Sequence, residues 1–114
     1  MRNDPVTTNP ELYSVVFENE RVRVLAYQDQ PGDRTQPHDH PDSVMVTLGS
    51  FRRRLGDGDT RRDVELRAGH AAWLPAQRHF GENIGDTETR VIFVELKEPP
   101  TATSEPTEIG PAVD

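Results

Sequence analysis

The sequence predicts an all-β fold, a small sandwich or barrel built by one domain of 114 residues. Three observations carry that expectation. Apolar residues recur at period two or in short β-branched runs, and no stretch keeps the three-to-four residue apolar period of an amphipathic helix. Turn-forming clusters interrupt these runs at intervals of about 8–12 residues, the rhythm of sandwiches and barrels. Hydrophobic residues are 32% of the chain. Even with glycine added they fall short of the ~45–50% of an average domain, so the core is expected to be thin.

The first ten residues, rich in Asn, Thr and Pro, read as a loose N-terminal arm, and the folded unit is expected over 11–98. Strands are expected at Tyr13–Phe17, stopped by Glu18-Asn19-Glu20, and at Val22–Tyr27, followed by the turn Pro31-Gly32-Asp33. Val44–Leu48 and Phe51–Leu55 come next; in the second, alternation puts Arg53 on the face of Phe51 and Leu55, opposite Arg52 and Arg54. Gly56-Asp57-Gly58-Asp59, between Leu55 and the strand Val64–Leu66, is the best hairpin signal. Ala68-Gly69 leads into Ala71–Leu74, and Gly85-Asp86 precedes Val91–Leu96. From Pro99 onward, prolines alternate with Thr, Ser and Glu, so 99–114 is expected to be a Pro-rich, acidic, disordered tail.

Composition excludes several function classes. A net charge of −7 argues against a nucleic-acid partner, which calls for a basic surface. No apolar run approaches the ~18–20 residues of a membrane span. Met1 to Pro10 contains no apolar signal segment, so a soluble cytoplasmic protein without a membrane partner is expected. The absence of cysteine removes disulfides, thiolate nucleophiles and sulfur ligands, which leaves nitrogen and oxygen donors for any site.

Against that background four histidines stand out: His38, His40, His70 and His79. On an extended strand, His38 and His40 project from the same face and can share a cation, for which neutral imidazole suits Zn, Fe, Ni and Cu. Alone, the pair is weak evidence, because core and surface histidines share this spacing. The segment Gly69 to Asn83 strengthens it by offering His79 beside a turn. His70, just after a turn on the face of Ala72 and Leu74, reads as a partly exposed bystander.

Gly32, five residues, His38-x-His40, and later Gly69, five residues, Pro75, then His79, three residues and Asn83, resemble the two motifs of the cupins. The stretches His40-Pro-Asp-Ser-Val-Met-Val and Trp73-Leu-Pro-Ala-Gln look like the very small cupins associated with β-alanine degradation. The resemblance covers about 20–97 and implies a cupin double-stranded β-helix, or jelly-roll barrel. It also implies one divalent transition metal (Fe, Zn, Ni, Mn or Cu) on His38, His40 and His79. The glutamate ligand usual in the first motif is missing, since its position falls on Val44 or Met45. Asp42 is the one carboxylate in that interval and a candidate fourth ligand. Gln77 stands where the second motif has glycine.

Three-histidine cupins include dioxygenases of thiols and dicarbonyl compounds. The resemblance thus implies a mononuclear metalloenzyme, oxygenase-like or metal-assisted, acting on a small carboxylated metabolite. A competing reading is a non-catalytic small-molecule or metal-binding accessory protein of a catabolic operon, and a third is a barrel packed shut. Arg53, if its face is inward, could hold a substrate carboxylate bidentately. The other arginines of Arg52–Arg54, Arg61-Arg62 and Arg67 read as a solvated hairpin face. Asn83 reads as a turn residue, and Tyr27, Met45, Trp73, Phe80 and Phe93 as core or interface. A homodimer is expected, with the strand around Tyr13–Phe17 extending a neighbour's sheet.

Overall fold

The computed structural model describes residues 3–98 and 109–111. Among them the chain forms a one-turn helix α1 (Pro5–Thr8) and nine strands. These are β1 (Tyr13–Glu18), β2 (Val22–Asp29), β3 (His38–His40), β4 (Ser43–Thr47), β5 (Phe51–Asp57), β6 (Thr60–Leu66), β7 (Ala71–Leu74), β8 (Gln77–Asn83) and β9 (Thr89–Leu96). They make two antiparallel sheets, one ordered β1-β2-β9-β4-β7 and the other β3-β8-β5-β6. The predicted all-β class stands.

Alternation places the core between the sheets. Leu25 and Tyr27 of β2, Met45 of β4, Phe51 of β5, Leu74 of β7 and Phe93 of β9 are buried and cluster there. Their neighbours along each strand point out, so buried and half-buried residues alternate along β4. Each large apolar side chain withdrawn from water contributes about 1.5–3 kcal/mol. In the β5–β6 hairpin, Asp57 pairs with Thr60, so the loop is Gly58-Asp59. Gly58 has φ +59 and, among the described residues, no non-glycine residue has positive φ, the sign pattern of a type II′ turn.

Two strands, β3 and β8, lie outside the seven segments expected as strands. β8 contains Gln77, Arg78, Gly81 and Glu82 and no β-branched residue, so propensity gives no signal for it. It forms because β3 and β5 pair with it on either side. The segment expected as a loose arm also has structure. Asp4 caps α1 by accepting from the Val6 amide at 2.9 Å, Pro5 occupies the first turn, and Asn9 is buried. Of the expected disordered tail, all but Ile109–Pro111 lies outside the described residues. Among the described residues, no helix is long and apolar enough to cross a membrane.

Candidate metal centre

Two backbone rules bring three imidazoles together. Period two puts His38 and His40 on the inner face of β3, and the β3–β8 register sets His38 directly opposite His79. All three are buried, and one ring nitrogen from each lies within 4.8 Å of the others. His38 Nε2 and His40 Nε2 are 3.0 Å apart.

The outer nitrogens are committed elsewhere. His38 Nδ1 donates to the Gln36 carbonyl at 2.7 Å, and His79 Nδ1 donates to Gln77 Oε1 at 2.8 Å. Both tautomers therefore turn an Nε2 lone pair toward the cluster. Burial, then the positive field of His40, His38 and Arg53, holds the His79 pKa well below its ordinary value. Burial also lowers that of His38. Three clustered imidazole nitrogens, those of His38 and His79 presenting lone pairs, fit a first-row divalent cation, at the ~2.0–2.1 Å typical of a metal–imidazole bond.

A layer of partners supports the ring set. Asn9 Oδ1 accepts from the Gln36 amide at 2.7 Å, and its Nδ2 reaches the Gln36 carbonyl at 3.3 Å, so the helix end braces the loop that holds His38. The Tyr13 hydroxyl lies 3.3 Å from His38 Nε2; burial above all raises its pKa, so it stays protonated. Behind His40, Glu95 Oε2 is 3.8 Å from Nδ1, and Glu95 Oε1 pairs with Arg23 at 2.8 Å. Arg23 in turn meets Asp4 at 2.9 Å. Sequence reasoning missed Asn9, Tyr13, Gln77 and Glu95 in these roles. A buried carboxylate does face the cluster, but it comes from β9.

Asp42, the candidate fourth ligand, is not in the cluster: its Oδ1 accepts from the Ala76 amide at 2.8 Å and so fixes the turn between β7 and β8. His70 is exposed at a strand start, and Asn83 does hold a turn, with Oδ1 accepting from the Gly85 amide at 3.0 Å.

Arg53 stands inside the barrel, as alternation predicts, while Arg54 pairs with Asp63 on the exposed hairpin face. The Arg53 guanidinium is already engaged: Nη1 donates to Asp29 Oδ2 at 2.6 Å and to Thr89 Oγ1 at 3.2 Å. Asp29 also accepts from the Tyr27 hydroxyl and from Asn83 Nδ2. A Cβ at position 81 would meet Arg53 Nη2 at 2.6 Å, so glycine there lets the guanidinium lie against β8. Arg53 is thus a compensated charge rather than a bare carboxylate anchor.

A cavity of about 50 Å³ opens beside His38, His79, Tyr13 and Arg53, with Phe51 and Leu55 among its apolar walls. That is room for a few waters or a ligand of few heavy atoms. Gly110 and Pro111 form part of its wall.

This double-sheet barrel has many solved counterparts. A cupin domain from Bordetella pertussis superposes with a TM-score of 0.71 at 28% identity, over 76% of this chain and 93% of that one. The fold is that of a cupin barrel. A protein with a double-stranded β-helix domain from Klebsiella pneumoniae gives a TM-score of 0.61 at 24% identity, over 80% of this chain and 78% of that one. The polyketide cyclase RemF from Streptomyces resistomycificus gives 0.58 at 20% identity, over 78% and 66%. No protein-family model and no curated protein matches the chain. The three-histidine cluster therefore sits inside a cupin barrel.

Proposed function

We propose that this chain is a mononuclear three-histidine metalloenzyme that binds one divalent transition metal at His38, His40 and His79 and converts a small anionic metabolite. The observation that carries the reading is the 3.0 Å approach of His38 Nε2 to His40 Nε2, with the Nδ1 of His38 already donating elsewhere. Two lone pairs at that separation repel unless a cation or a proton lies between them.

The donor set is neutral, so a dication there keeps its charge and favours an anionic oxygen ligand. Bound, such a metal supplies Lewis-acid polarisation or, if iron, access to oxygen chemistry. The chain's own residues supply the rest. Tyr13 holds a proton beside His38, the Arg53–Asp29 pair sets a fixed dipole in the wall, and the apolar side chains limit water to a few molecules. The small cavity favours a compact carboxylated substrate. Resemblance to cupins of β-alanine degradation supports a catabolic setting in the cytoplasm.

Elemental analysis of protein purified without chelator tests the metal. Near-stoichiometric transition metal, lost in His38→Ala and His79→Ala, is the expected result, and metal-free protein that takes up no Co(II) would sink the reading. The wall over the cavity favours a second reading, a non-catalytic metal or small-molecule binder. Oxygen uptake by metal-loaded protein with thiol and dicarbonyl panels separates a dioxygenase from it.

A further inference from the structure

The outer face of the five-stranded sheet is apolar where solvent calls for polar residues. One row crosses all five strands: Phe17 pairs with Val24, Val24 with Val94, Val94 with Val44, and Val44 with Trp73. A parallel row runs through Ala26, Ile92, Val46 and Ala71. Phe17 is 53% exposed and Trp73 39%. Few monomeric proteins leave so continuous an apolar surface open, least of all one with so few hydrophobic residues to spend.

We propose that this face binds a second copy of the chain. The row reads almost the same from either end, aromatic, valine, valine, valine, aromatic, with Val94 of the central strand at its midpoint. A two-fold axis along β9 lays Phe17 of one copy over Trp73 of the other and Val94 over itself. Such self-complementarity is what an isologous dimer needs. Arg90 and Gln28 sit at one end of the same face, where a polar rim belongs. The contact is face to face, unlike the edge pairing through Tyr13–Phe17 that the sequence suggests.

Sedimentation equilibrium of the full chain tests it. The wild type is expected at twice 12.9 kDa at micromolar concentration. Val94→Asp sets two carboxylates against each other on the axis, and Trp73→Glu changes a side chain already exposed; each is expected to weaken the dimer at least about thirtyfold while circular dichroism is unchanged. A monomeric wild type overturns the proposal. So does a dimer that survives both substitutions but is lost in Ser14→Pro, which marks edge pairing.

A second inference rests on different residues and on the metal reading above. Gln77 Oε1 accepts from His79 Nδ1 at 2.8 Å and from the Gly110 amide at 2.7 Å, and Arg62 Nη1 donates to the Ile109 carbonyl at 2.6 Å. Gly110 has φ +91, and a Cβ there would lie 2.7 Å from Leu55 Cδ1, so glycine is what fits. We infer that Gly110-Pro111, anchored through Ile109, is a structural wall of the ligand cavity that limits ligand size, and that Gln77 is the positioning residue joining this wall to His79.

Hydrogen exchange reads the wall without metal. The Gly110 amide is expected to be protected in the wild type, and at least about tenfold less so in Gln77→Ala or Gly110→Val, with β8 amides unchanged. Gln77→Ala is expected to weaken Co(II) binding about 10–100-fold, and Gln77→Glu, which keeps the acceptor, to restore it. Gly110→Val is expected to admit imidazole to the Co(II) protein with azide affinity unchanged. An unprotected Gly110 amide in the wild type overturns the wall. Protein that binds no Co(II) defeats the metal reading and the role of Gln77 toward the metal, while the exchange result still decides the wall.

Discussion

Arg53 and Asp29 form a buried ion pair inside the barrel, 2.6 Å apart, with Tyr27 and Asn83 completing the carboxylate's hydrogen bonds. Two such charges tolerate removal of both far better than removal of one, because the survivor is left buried and uncompensated. Arg53→Ala is therefore expected to cost about 3–5 kcal/mol of stability. Arg53→Met combined with Asp29→Asn should recover most of it. Urea denaturation of the three proteins checks this, and equal losses in the single and double variants would show that the cost does not come from an uncompensated Asp29. Loss of carboxylate binding in Arg53→Ala alone is thus no proof that Arg53 touches substrate; the double variant is the cleaner comparison.

The three histidines are expected to act as one ligand set. Each change to alanine should leave less than a tenth of the wild-type metal after gel filtration, by elemental analysis. Asp42→Asn should retain the metal, because its role is to accept from the Ala76 amide and asparagine still offers an oxygen there. Metal loss in Asp42→Asn with the fold intact would return Asp42 to the ligand set.

Acid should destabilise the metal-free protein at an unusually high pH. Burial first, then neighbouring positive charge, holds His79 well below its ordinary pKa, and burial lowers His38. In the unfolded chain both titrate near ~6.5. Below that pH the unfolded state binds protons that the folded state refuses, so stability is full above about pH 6.5 and falls as the pH drops beneath it. The slope approaches about 1.4 kcal/mol per pH unit for each histidine. Bound metal competes for the same nitrogens and should carry stability to lower pH. Thermal melts of both forms between about pH 5 and 8 measure this, and a flat metal-free curve would contradict it.

Much of this was legible because strand chemistry is written locally. Val44, Val46 and the β5 alternation of Phe51, Arg53 and Leu55 declare period two, which also placed Arg53 inside and His38 beside His40. β8 was illegible because its residues form a strand only when neighbours on both sides pair with them. Nor does the sequence say that Asp29 faces Arg53 or that Glu95 faces His40. Those contacts join positions 24 and 55 residues apart, across sheets whose register no local pattern encodes. Gln77, which departs from the cupin motif, turns out to hold His79 Nδ1; the departure itself was the one available signal.

Glu95 is expected to position His40. Its Oε2 lies 3.8 Å from His40 Nδ1, and its other oxygen is held by Arg23, which Asp4 anchors from the helix end. A carboxylate behind an imidazole favours the Nδ1–H tautomer and raises the basicity of Nε2. Glu95→Gln preserves volume and one acceptor but removes the charge. Co(II) affinity should fall about 10–100-fold. Stability also suffers, since Arg23 keeps only Asp4 as a charged partner. Arg23→Gln separates the two effects. It disturbs the same buried pair while leaving the carboxylate behind His40, so it should lower stability comparably and affinity much less. Equal affinity losses in the two variants would mean that Glu95 serves the fold alone.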